Sequence, residues 1–428
     1  MEGKNKKVII IGAGICGLAT AIRLRDHNGL EPVIYEIRSH DAGTLGGSLG
    51  IPCNGLLLLN RLGLWDSIAA QGVDIARTVL HSTSGGILKE VDVSTEPKEK
   101  TGFGYHRINR SKLMDCLMEG AERSQIPIHW EKRLVSIHDN ADSITVNFSD
   151  GTSETASLLL GCDGIHSTVR TLHVDPGFKP EYSGISAVSS IVDVPNPNDK
   201  EPCLHSTLTP QGMLASAPCP NNQTFWFFSK QVPLPSQDSE DARYGWSLHR
   251  QKEMTEFRES LSTVLDGVHG DWGQHLRRLV NASKDVHFYP HYRLPLGGKW
   301  FKPGATRCLL LGDAAHAMQP HAGQGVSIVM EDVFLISGLL KKFENKEYDS
   351  LEAVFAKFDE IRRPRIDKIS LTAQRNGAKR KNQNPWVVWA KEWVVWAMSY
   401  VSGVWGMSAS GVDHGDVIYD VEDELKNC

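Results

Sequence analysis

Glycine and acidic residues near the amino terminus are spaced so that they could hold a dinucleotide. Gly12, Gly14 and Gly17 form a G-x-G-x-x-G motif, and Glu36 follows 19 residues later. Glycines permit a tight turn and a close approach of the backbone to a pyrophosphate, and the acid can accept hydrogen bonds from a ribose. The charge of Glu36 disfavours a 2′-phosphate on that ribose. The motif leaves NAD and FAD open.

Two further acids each follow an apolar run and precede glycines. Asp163 lies in the sequence CDGIHSTVR, and Asp313 lies in LLGDAAHAMQPHAGQG. A glycine-rich helix start favours a negatively charged group, so an acceptor beside it suits a ligand with both hydroxyls and negative charge. The second sequence also holds three residues that could lie against such a ligand: Pro320, Gly323 and Gly325.

The elements that must position these residues can be predicted from periodicity. Continuous apolar runs predict buried strands at Lys6–Ile11, Pro32–Tyr35, Leu158–Leu160 and Cys308–Leu311. Alternating runs predict antiparallel strands at Ile126–Trp130, Arg133–Asp139 and Ser143–Phe148, and again at Ile185–Val192, Met213–Pro218 and Gln223–Ser229. Helical periodicity is clearest at Leu18–His27 and Ser111–Arg123.

Composition excludes several classes of protein. A length of 428 residues indicates two domains or one elaborated domain, and a formal net charge of −5 argues against nucleic-acid binding. The eight cysteines are scattered, without C-x-x-C pairs or metal-ligand spacing, so we expect no metal site and reduced thiols in the cytoplasm. The start of the chain lacks the cleavage pattern of a signal peptide.

Taken in order, three motifs resemble those of the FAD-dependent aromatic hydroxylases, which are single-component flavoprotein monooxygenases of the para-hydroxybenzoate and salicylate hydroxylase type. They are G-x-G-x-x-G with Glu36, C-D-G-x-x-S-x-V-R at 162–170, and L-L-G-D-A-A-H-x-M-x-P-x-x-G-Q-G at 310–325. The resemblance implies an α/β fold with a Rossmann-like FAD-binding domain of the GR2 type, an interleaved antiparallel-sheet substrate domain and a C-terminal helical segment. The implied ranges are 1–80, 101–175 and 288–375 for FAD, 81–100 and 176–287 for substrate, and 376–428 for the tryptophan-rich segment.

The resemblance also implies roles for individual residues. Glu36 would hold the adenosine ribose, Asp163 would lie near the pyrophosphate and the passing nicotinamide cofactor, and Asp313 would hold the ribityl chain. The remaining cofactor-binding residues would be Gly12, Gly14, Gly17, Gly47, Arg110 on the flavin side, and Pro320, Gly323 and Gly325 against the isoalloxazine. His316 belongs to the motif, and we expect it to be structural.

The reaction implied by the resemblance uses NAD(P)H and O2. The nicotinamide cofactor would reduce FAD and leave, and reduced flavin would bind O2 as a C4a-hydroperoxide that delivers one oxygen atom to an electron-rich carbon. Several relatives that bind carboxylate or urate-like substrates carry an arginine in the strand matching Gly184–Ile191, but this chain has no cation there. The absence of that positive charge favours a larger, more neutral substrate, which we expect to be an aromatic or indole-like secondary metabolite. Candidate bases for activating it are His205, His291, Tyr292 and Arg293.

Other functions remain open on the same motifs. One is epoxidation or oxidative rearrangement of an isoprenoid or indole alkaloid. A flavin halogenase would need a W-x-W-x-I-P signature, but Trp226 is followed by Phe-Phe-Ser-Lys. A non-catalytic flavin-binding module is the third.

The carboxy-terminal part contains two basic clusters, 362–365 and 379–381, which we expect to be solvated. Trp386, Trp389, Trp393, Trp396 and Tyr400 recur at spacings of 3, 4, 3 and 4 and therefore share one helix face. We expect this face to pack against the body of the protein. A cavity wall or interfacial docking comes next, and a membrane span through 385–405 is disfavoured by Lys391 and Glu392. A monomer or a homodimer fits these features.

Overall fold

The structure is a computed structural model that describes residues 6–427 apart from 43–46, 198–199, 235–256, 258 and 405–413. Its strands are β1 Lys7–Ile11, β2 Glu31–Tyr35, β3 Ser48–Ile51, β4 Gly72–Ile75, β5 Arg77–His81, β6 Ile87–Asp92, β7 Tyr105–Asn109, β8 Ile128–His129, β9 Leu134–Asp139, β10 Ile144–Phe148, β11 Ser153–Ala156, β12 Leu158–Gly161, β13 Glu181–Val192, β14 Cys203–Thr209, β15 Gly212–Cys219, β16 Gln223–Gln231, β17 His287–Arg293, β18 Phe301–Lys302 and β19 Ala305–Leu310.

Helices connect and cover these strands. They are α1 Ile15–Asn28, α2 Cys53–Arg61, α3 Trp65–Ala69, α4 Thr95–Thr101, α5 Arg110–Arg123, α6 at 259–266, α7 Gly270–Ala282, α8 Asp313–His316, α9 Gly325–Glu344, α10 Leu351–Ala378, α11 Pro385–Val404 and α12 Val421–Lys426. A π-helical turn spans Arg170–Val174, and 3-10 turns span Pro320–Ala322 and His414–Asp416.

A six-stranded sheet brings the three motifs to one edge. Its order is β18-β19-β12-β1-β2-β8, and all neighbours are parallel except β18 and β19. The motifs that contain Gly12, Asp163 and Asp313 follow β1, β12 and β19, which are adjacent strands. Because the carboxyl ends of parallel strands meet at one edge, ligands bind there in open α/β sheets. The four buried strands predicted from the sequence are confirmed as β1, β2, β12 and β19, and their ends differ from the prediction by three residues or fewer.

One strand prediction was wrong in its partner. The run Ile126–Trp130 was expected to join an antiparallel sheet, but its two-residue strand β8 pairs in parallel with β2. The other two strands predicted with it are β9 and β10, which form a three-stranded antiparallel sheet with β11. Such a short strand carries too few residues for its periodicity to specify a partner.

A second, seven-stranded sheet has two different faces. Its order is β17-β13-β16-β15-β14-β5-β6. Trp226 and Phe228 of β16 pack with α6 and α7 in a separate apolar core. Because side chains alternate along a strand, Phe225, Phe227 and Ser229 lie on the other face. That face is turned towards Gly47, one of the predicted cofactor-binding residues, since a Cβ atom there would lie 2.6 Å from the Phe225 ring.

Several arginines from the predicted basic clusters are not solvated; the Arg365 side chain, for example, is only 12% exposed and pairs with Glu331. Arg362 has no exposed surface, and it lies within the 28-residue helix α10, which continues through Pro364. Arg380, after the end of α10, is half-buried. The expectation of solvated faces was therefore wrong for these arginines, because a cluster of like charges in the sequence does not reveal where distant carboxylates and cavities lie.

The tryptophans of α11 are exposed, so the expectation that they pack against the body was wrong. Trp386 is 75% exposed and Trp389 is 56% exposed. A narrow stripe holds the helix instead, in which Val388 is buried and a Glu392 carboxylate oxygen accepts a hydrogen bond from the Thr83 backbone N–H at 2.8 Å. The side chain of Tyr400 lies outside the described residues. No helix in the described ranges is long and apolar enough to cross a membrane.

After α11 the chain returns to the six-stranded-sheet half of the molecule. Arg61 donates two hydrogen bonds to the Asp420 carboxylate, and Arg23 donates one to Glu422. The guanidinium carbon of Arg365 lies 3.8 Å from the Tyr419 ring centroid. The described residues after α10 therefore include the outlying helix α11 and a terminal segment, 414–427, that is bound to the sheet layer.

Candidate active site

The first glycine motif forms a backbone surface with space in front of it. Gly12 has φ +105°, and a Cβ atom there would lie 2.6 Å from the Cys162 carbonyl oxygen. A Cβ on Gly17 would lie 1.9 Å from the Gly12 carbonyl oxygen, so both positions require glycine. At Gly14 a Cβ would meet no atom within 4 Å. Gly14 precedes α1, so the start of that helix faces open space where an anionic group could bind.

Glu36 lies at the end of β2, next to the same turn. One carboxylate oxygen accepts a hydrogen bond from the Ala13 backbone N–H at 2.7 Å, and the other accepts from the Arg38 N–H at 3.0 Å. These bonds orient the carboxylate while leaving further lone pairs for hydroxyl groups.

Asp163 and Asp313 follow neighbouring strands and differ in what they contact. One oxygen of Asp163 accepts from the Thr168 N–H at 2.6 Å and from the Val169 N–H at 3.2 Å, while Oδ1 is buried without a hydrogen-bond partner in the described protein. Burial raises the pKa of Asp163 above its usual value, and these hydrogen bonds oppose that shift. Arg170 links this loop to the Asp313 loop, because its guanidinium donates to the Ala314 carbonyl oxygen at 2.7 Å.

Asp313 directly follows β19, at the sheet edge where the three motifs meet. Its side chain is accessible to solvent, but protein packed around the carboxylate desolvates it. This enclosure raises the pKa of Asp313, and the nearby charges of His316 and Arg110 oppose the increase. Pro320, Gly323 and Gly325 are exposed along the same loop. We call the space bordered by Asp313, Arg110 and residues 320–325 the central cleft.

Arg110 borders the central cleft from the opposite side. It is the first residue of α5, and its backbone N–H donates to the Gly47 carbonyl oxygen at 3.0 Å. Burial lowers the pKa of Arg110, as does Arg38, whereas Asp313 and Tyr289 act in the other direction. Arg110 therefore lies close to both Asp313 and the seven-stranded sheet.

A saturated network of charges lies beneath the cleft. Arg362 donates to Asp332 at 2.8 Å and to Glu331 at 2.6 Å, and all three side chains have no exposed surface. Asp332 also accepts from the Gly312 N–H at 2.9 Å and lies 2.7 Å from the His316 Nε2 atom. This network positions the turn that precedes Asp313. Its contacts give His316 the structural environment that we expected from the motif.

The four candidate bases are not brought together. His205 lies on the helix-covered face of the sheet, with its Nδ1 atom 3.0 Å from His81 Nε2 and its ring beside Trp272. Tyr292 packs beside Tyr182, and Arg293 binds the Glu181 carboxylate at 2.6 Å.

His291 is on the cleft side of β17, where its ring centroid lies 5.0 Å from that of His321. Burial and the charge of Arg380 lower the pKa of His291 to about 3, so its imidazole is neutral at pH 7.

Sequence reasoning missed three residues at the central cleft: His321, Arg380 and Tyr289. His321 immediately follows Pro320 in the third motif, and this position was the available signal. Arg380 had no such signal, because it stands in a short basic cluster far from every motif. Tyr289 lies on β17, the strand of three of the candidate bases, on the face that points to Arg110.

Comparison with known proteins identifies the family to which the chain belongs. A family model described as an FAD binding domain matches residues 5–261, more than half of the chain. The chain belongs to this FAD-binding family.

The relatives are consistent in activity. A 3-amino-4-hydroxybenzoate 2-monooxygenase of Streptomyces cremeus is 26% identical over 382 residues, covering 88% of each protein. Hispidin-3-hydroxylase of Neonothopanus nambi is 28% identical over 387 residues, covering 85% of this chain and 86% of that one. These findings confirm the predicted membership in the FAD-dependent aromatic hydroxylases, so the protein is an FAD-dependent monooxygenase.

A solved structure supports the same fold. Klebsiella pneumoniae HpxO complexed with FAD and uric acid superposes with a TM-score of 0.75 at 22% identity, covering 94% of this chain and 96% of that chain. The predicted α/β class with a Rossmann-like FAD-binding part is thereby confirmed. The residues present fit the cofactor, because Gly14 faces open space and an enclosed carboxylate, Asp313, lines the central cleft.

The described residues contain no group of three or more histidine, cysteine, aspartate or glutamate side chains that could hold a metal ion. The seven described cysteines are free and buried. Cys428 lies outside the described residues.

Proposed function

We propose that this FAD-dependent aromatic hydroxylase uses NAD(P)H and O2 to insert one oxygen atom into an aromatic or indole-like secondary metabolite. The observation that carries this proposal is the central cleft, which lies between the motif loops and an aromatic sheet face. Phe225 and Phe227 form part of that face, with ring centroids 6.1 Å apart. When bound, the flavin supplies the redox and oxygen-transfer chemistry, while the protein orients the substrate and excludes water.

The residue roles follow from where each acceptor or backbone surface lies. We assign the adenosine ribose to Glu36, whose position at the tip of β2 is fixed by the Ala13 N–H. Asp163 is assigned to the pyrophosphate region and Asp313 to the ribityl hydroxyls, because its enclosed carboxylate can accept hydrogen bonds. Further proposed contacts are Gly12, Gly14, Gly17, Gly47, Arg110, Pro320, Gly323 and Gly325.

None of the four candidate bases is suited to removing a proton from the substrate. His205, Tyr292 and Arg293 are engaged away from the cleft. His291 is placed well, but a general base works best when its pKa is near the operating pH, and the pKa of His291 is about 3. We therefore propose that His291 binds the substrate by hydrogen bonding.

The sheets support a division into two domains. The substrate sheet begins at β5, Arg77–His81, and ends at β17, His287–Arg293. We propose that the substrate domain includes both strands, so that its limits extend slightly beyond 81–100 and 176–287. The FAD-binding domain then comprises the chain up to β5, the segment from β7 through the π-helical turn that ends at Val174, and the segment from β18 to α10.

The exposed helix α11 supports a peripheral contact with an anionic membrane surface for an otherwise cytoplasmic enzyme. Successive tryptophan rings from Trp386 to Trp396 contact one another edge to face at centroid distances of 5.5 to 6.1 Å. Tryptophan favours membrane interfaces, and exposed Lys381 and Lys391 supply positive charge beside it. The carboxylate of Glu392 is occupied by Thr83.

Membrane contact can be measured by flotation with phosphatidylserine-containing vesicles. We expect the full chain to float, and the Trp389→Glu/Trp393→Glu variant to remain in solution. Neutral phosphatidylcholine vesicles are the matched control. Equal flotation of the two proteins would contradict this role of α11.

The proposed reaction is tested with purified protein and a panel of aromatic and indole compounds. We expect bound FAD, faster NADH or NADPH consumption in the presence of a substrate, and a product heavier by one oxygen atom. A product that forms without O2, or a protein that cannot be reconstituted with FAD, would contradict the proposal. A product with a new epoxide would instead identify the alternative oxygenation on the same scaffold.

A further inference from the structure

Arg380 carries a positive charge into the central cleft. Its Nη1 atom donates to the Ser229 hydroxyl oxygen at 3.1 Å, and its guanidinium carbon lies 5.6 Å from the centroid of the Phe227 ring. Both partners are on the cleft face of β16. Burial lowers the pKa of Arg380 to about 10, so the side chain is still charged at pH 7. Among the described residues, no carboxylate forms a salt bridge with it.

Two neutral imidazoles lie near this charge. His321 is 7% exposed and His291 is 9% exposed. Both ring nitrogens of His321, and Nδ1 of His291, have no hydrogen-bond partner within the described part of the chain. Burial and then Arg380 lower the pKa of His321 to about 2, and His291 contributes to the same shift. Each ring can therefore donate one N–H to a bound group.

Such an arrangement is costly unless a ligand completes it. A buried polar nitrogen without a partner carries a desolvation penalty, and a buried charge without a counter-ion carries a larger one. A cation and two imidazole donors around one space would be satisfied by a negatively charged oxygen. Arginine suits this task, because its planar guanidinium can bind two oxygens of a carboxylate at once.

The position of the three residues relates them to the substrate. His321 directly follows Pro320, in the turn that we assign to the flavin ring. Ser229, which Arg380 contacts, pairs with Ala187 of β13, and Tyr289 of β17 pairs with the same alanine. The strand β13 itself has no cation, as the sequence indicated. Instead, Arg380, in the connection between α10 and α11, places a cation next to Ser229, the residue that pairs with Ala187 of β13.

We propose that Arg380, His291 and His321 form a binding site for an oxyanion of the aromatic substrate, either a carboxylate or an ionised ring hydroxyl. The proposal rests on the proposed function, because it places the substrate in the central cleft. It replaces the expectation of a more neutral substrate. Arg380 would fix the orientation of the ring, and the two histidines would donate hydrogen bonds to the same charged group.

The test uses matched pairs of probes that differ in charge. Binding to the FAD-loaded enzyme is followed by the change in the visible spectrum of the flavin at pH 8. One arm compares indole-3-carboxylate with indole-3-carboxamide and benzoate with benzamide. The other compares 4-nitrophenolate with 4-nitroanisole. We expect the anion to bind at least about tenfold more tightly than its neutral partner in one arm, which identifies the type of oxyanion.

Variants then assign the preference to residues. Arg380→Met should reduce the preference for the anion to about threefold or less. His321→Phe should reduce it by a smaller factor. The matched control Lys381→Met removes an exposed neighbouring charge and should retain the full preference. The flavin content of each variant, measured separately, shows whether the cofactor site is intact.

Two results would overturn the proposal. One is a wild-type enzyme in which neither arm shows tighter binding of the anion, including the case in which no probe binds. The other is a preference that survives Arg380→Met. A protein that binds no FAD would instead overturn the proposed function, so the two failures can be told apart.

Discussion

Arg362 is fully buried and Arg380 is half-buried. They come from two similar basic clusters, but their surroundings are opposite. Arg362 contacts Asp332 and Glu331 at 2.8 and 2.6 Å. Arg380 contacts a hydroxyl and an aromatic ring. Burial acts to lower the pKa of both. At Arg362 the two carboxylates outweigh burial and raise the pKa, whereas at Arg380 burial prevails.

This difference separates a structural charge from one available for binding. The Arg362 network leaves no capacity for a ligand, and it holds the turn before Asp313 through Gly312 and His316. Arg380 retains its hydrogen-bonding capacity and faces neutral side chains. We therefore interpret the complete Arg362 network as structural, and the incomplete surroundings of Arg380 as available to a ligand. Variants of these residues can separate the two roles.

Removing Arg362 should strongly destabilise the fold. Arg362→Met leaves the buried carboxylates of Glu331 and Asp332 with less compensation, which we expect to lower the free energy of unfolding by about 3–5 kcal/mol. Urea denaturation measures this change. Arg375 is exposed on the same helix, so Arg375→Met is the control and should change stability by no more than about 0.5 kcal/mol. Equal effects of the two variants would contradict the assignment.

The same network should make the stability of the folded protein depend on pH. Burial acts to raise the pKa of Asp332, but His316 and Arg362 outweigh it and lower the pKa, and Arg362 does the same for Glu331. Carboxyls with a lowered pKa stabilise the folded state above about pH 4 and lose that contribution as the pH falls through their folded pKa. Unfolding measured between pH 3 and 7 should show this loss. A flat profile would argue against the network.

Asp313→Ala should weaken the binding of FAD. A hydrogen bond to a charged group contributes about 1.5–3 kcal/mol, so we expect about 10–100-fold weaker binding, measured by titrating the apoprotein with FAD. Asp313→Asn keeps one acceptor oxygen and should bind more tightly than the alanine variant. Asp115→Ala, at an exposed position on α5, is the control. Unchanged FAD affinity in Asp313→Ala would contradict the placement of the ribityl chain.

Arg380→Met should have the smallest effect on stability. Because the variant removes a buried charge without a described counter-ion, we expect the free energy of unfolding to stay within about 1 kcal/mol of the wild type or to rise. Denaturation of the apoprotein provides the comparison with Arg362→Met. A loss as large as that of Arg362→Met would mean that Arg380 is also structural.

Local patterns predicted the parts of the molecule that local chemistry determines. The glycine motif, Glu36 and the acids after β12 and β19 could be placed because each follows a buried strand, and parallel strands bring such ends together. The partner of β8 could not be predicted from a two-residue strand. The burial of Arg362 and Arg380 could not be predicted from the sequence either, because it depends on groups on α9 and β16 that are remote in sequence.

The tryptophan helix shows a similar limit. The spacing of Trp386, Trp389, Trp393 and Trp396 correctly predicted a shared helix face, and the helix itself is confirmed as α11. Periodicity identifies an apolar face but does not say what covers it. Here α11 contacts the rest of the protein through Val388 and Glu392, so its tryptophans remain on the surface.

The route of the chain around α11 has a consequence for engineering. Before the helix, the Gln383 N–H donates to the Pro210 carbonyl oxygen at 2.8 Å. After it, Asp420 and Glu422 are bound by Arg61 and Arg23. The chain is thus attached to the rest of the protein independently before and after α11. Replacing α11 with a flexible linker between the two flanking segments would keep both attachments, whereas truncating the chain before α11 would remove the second.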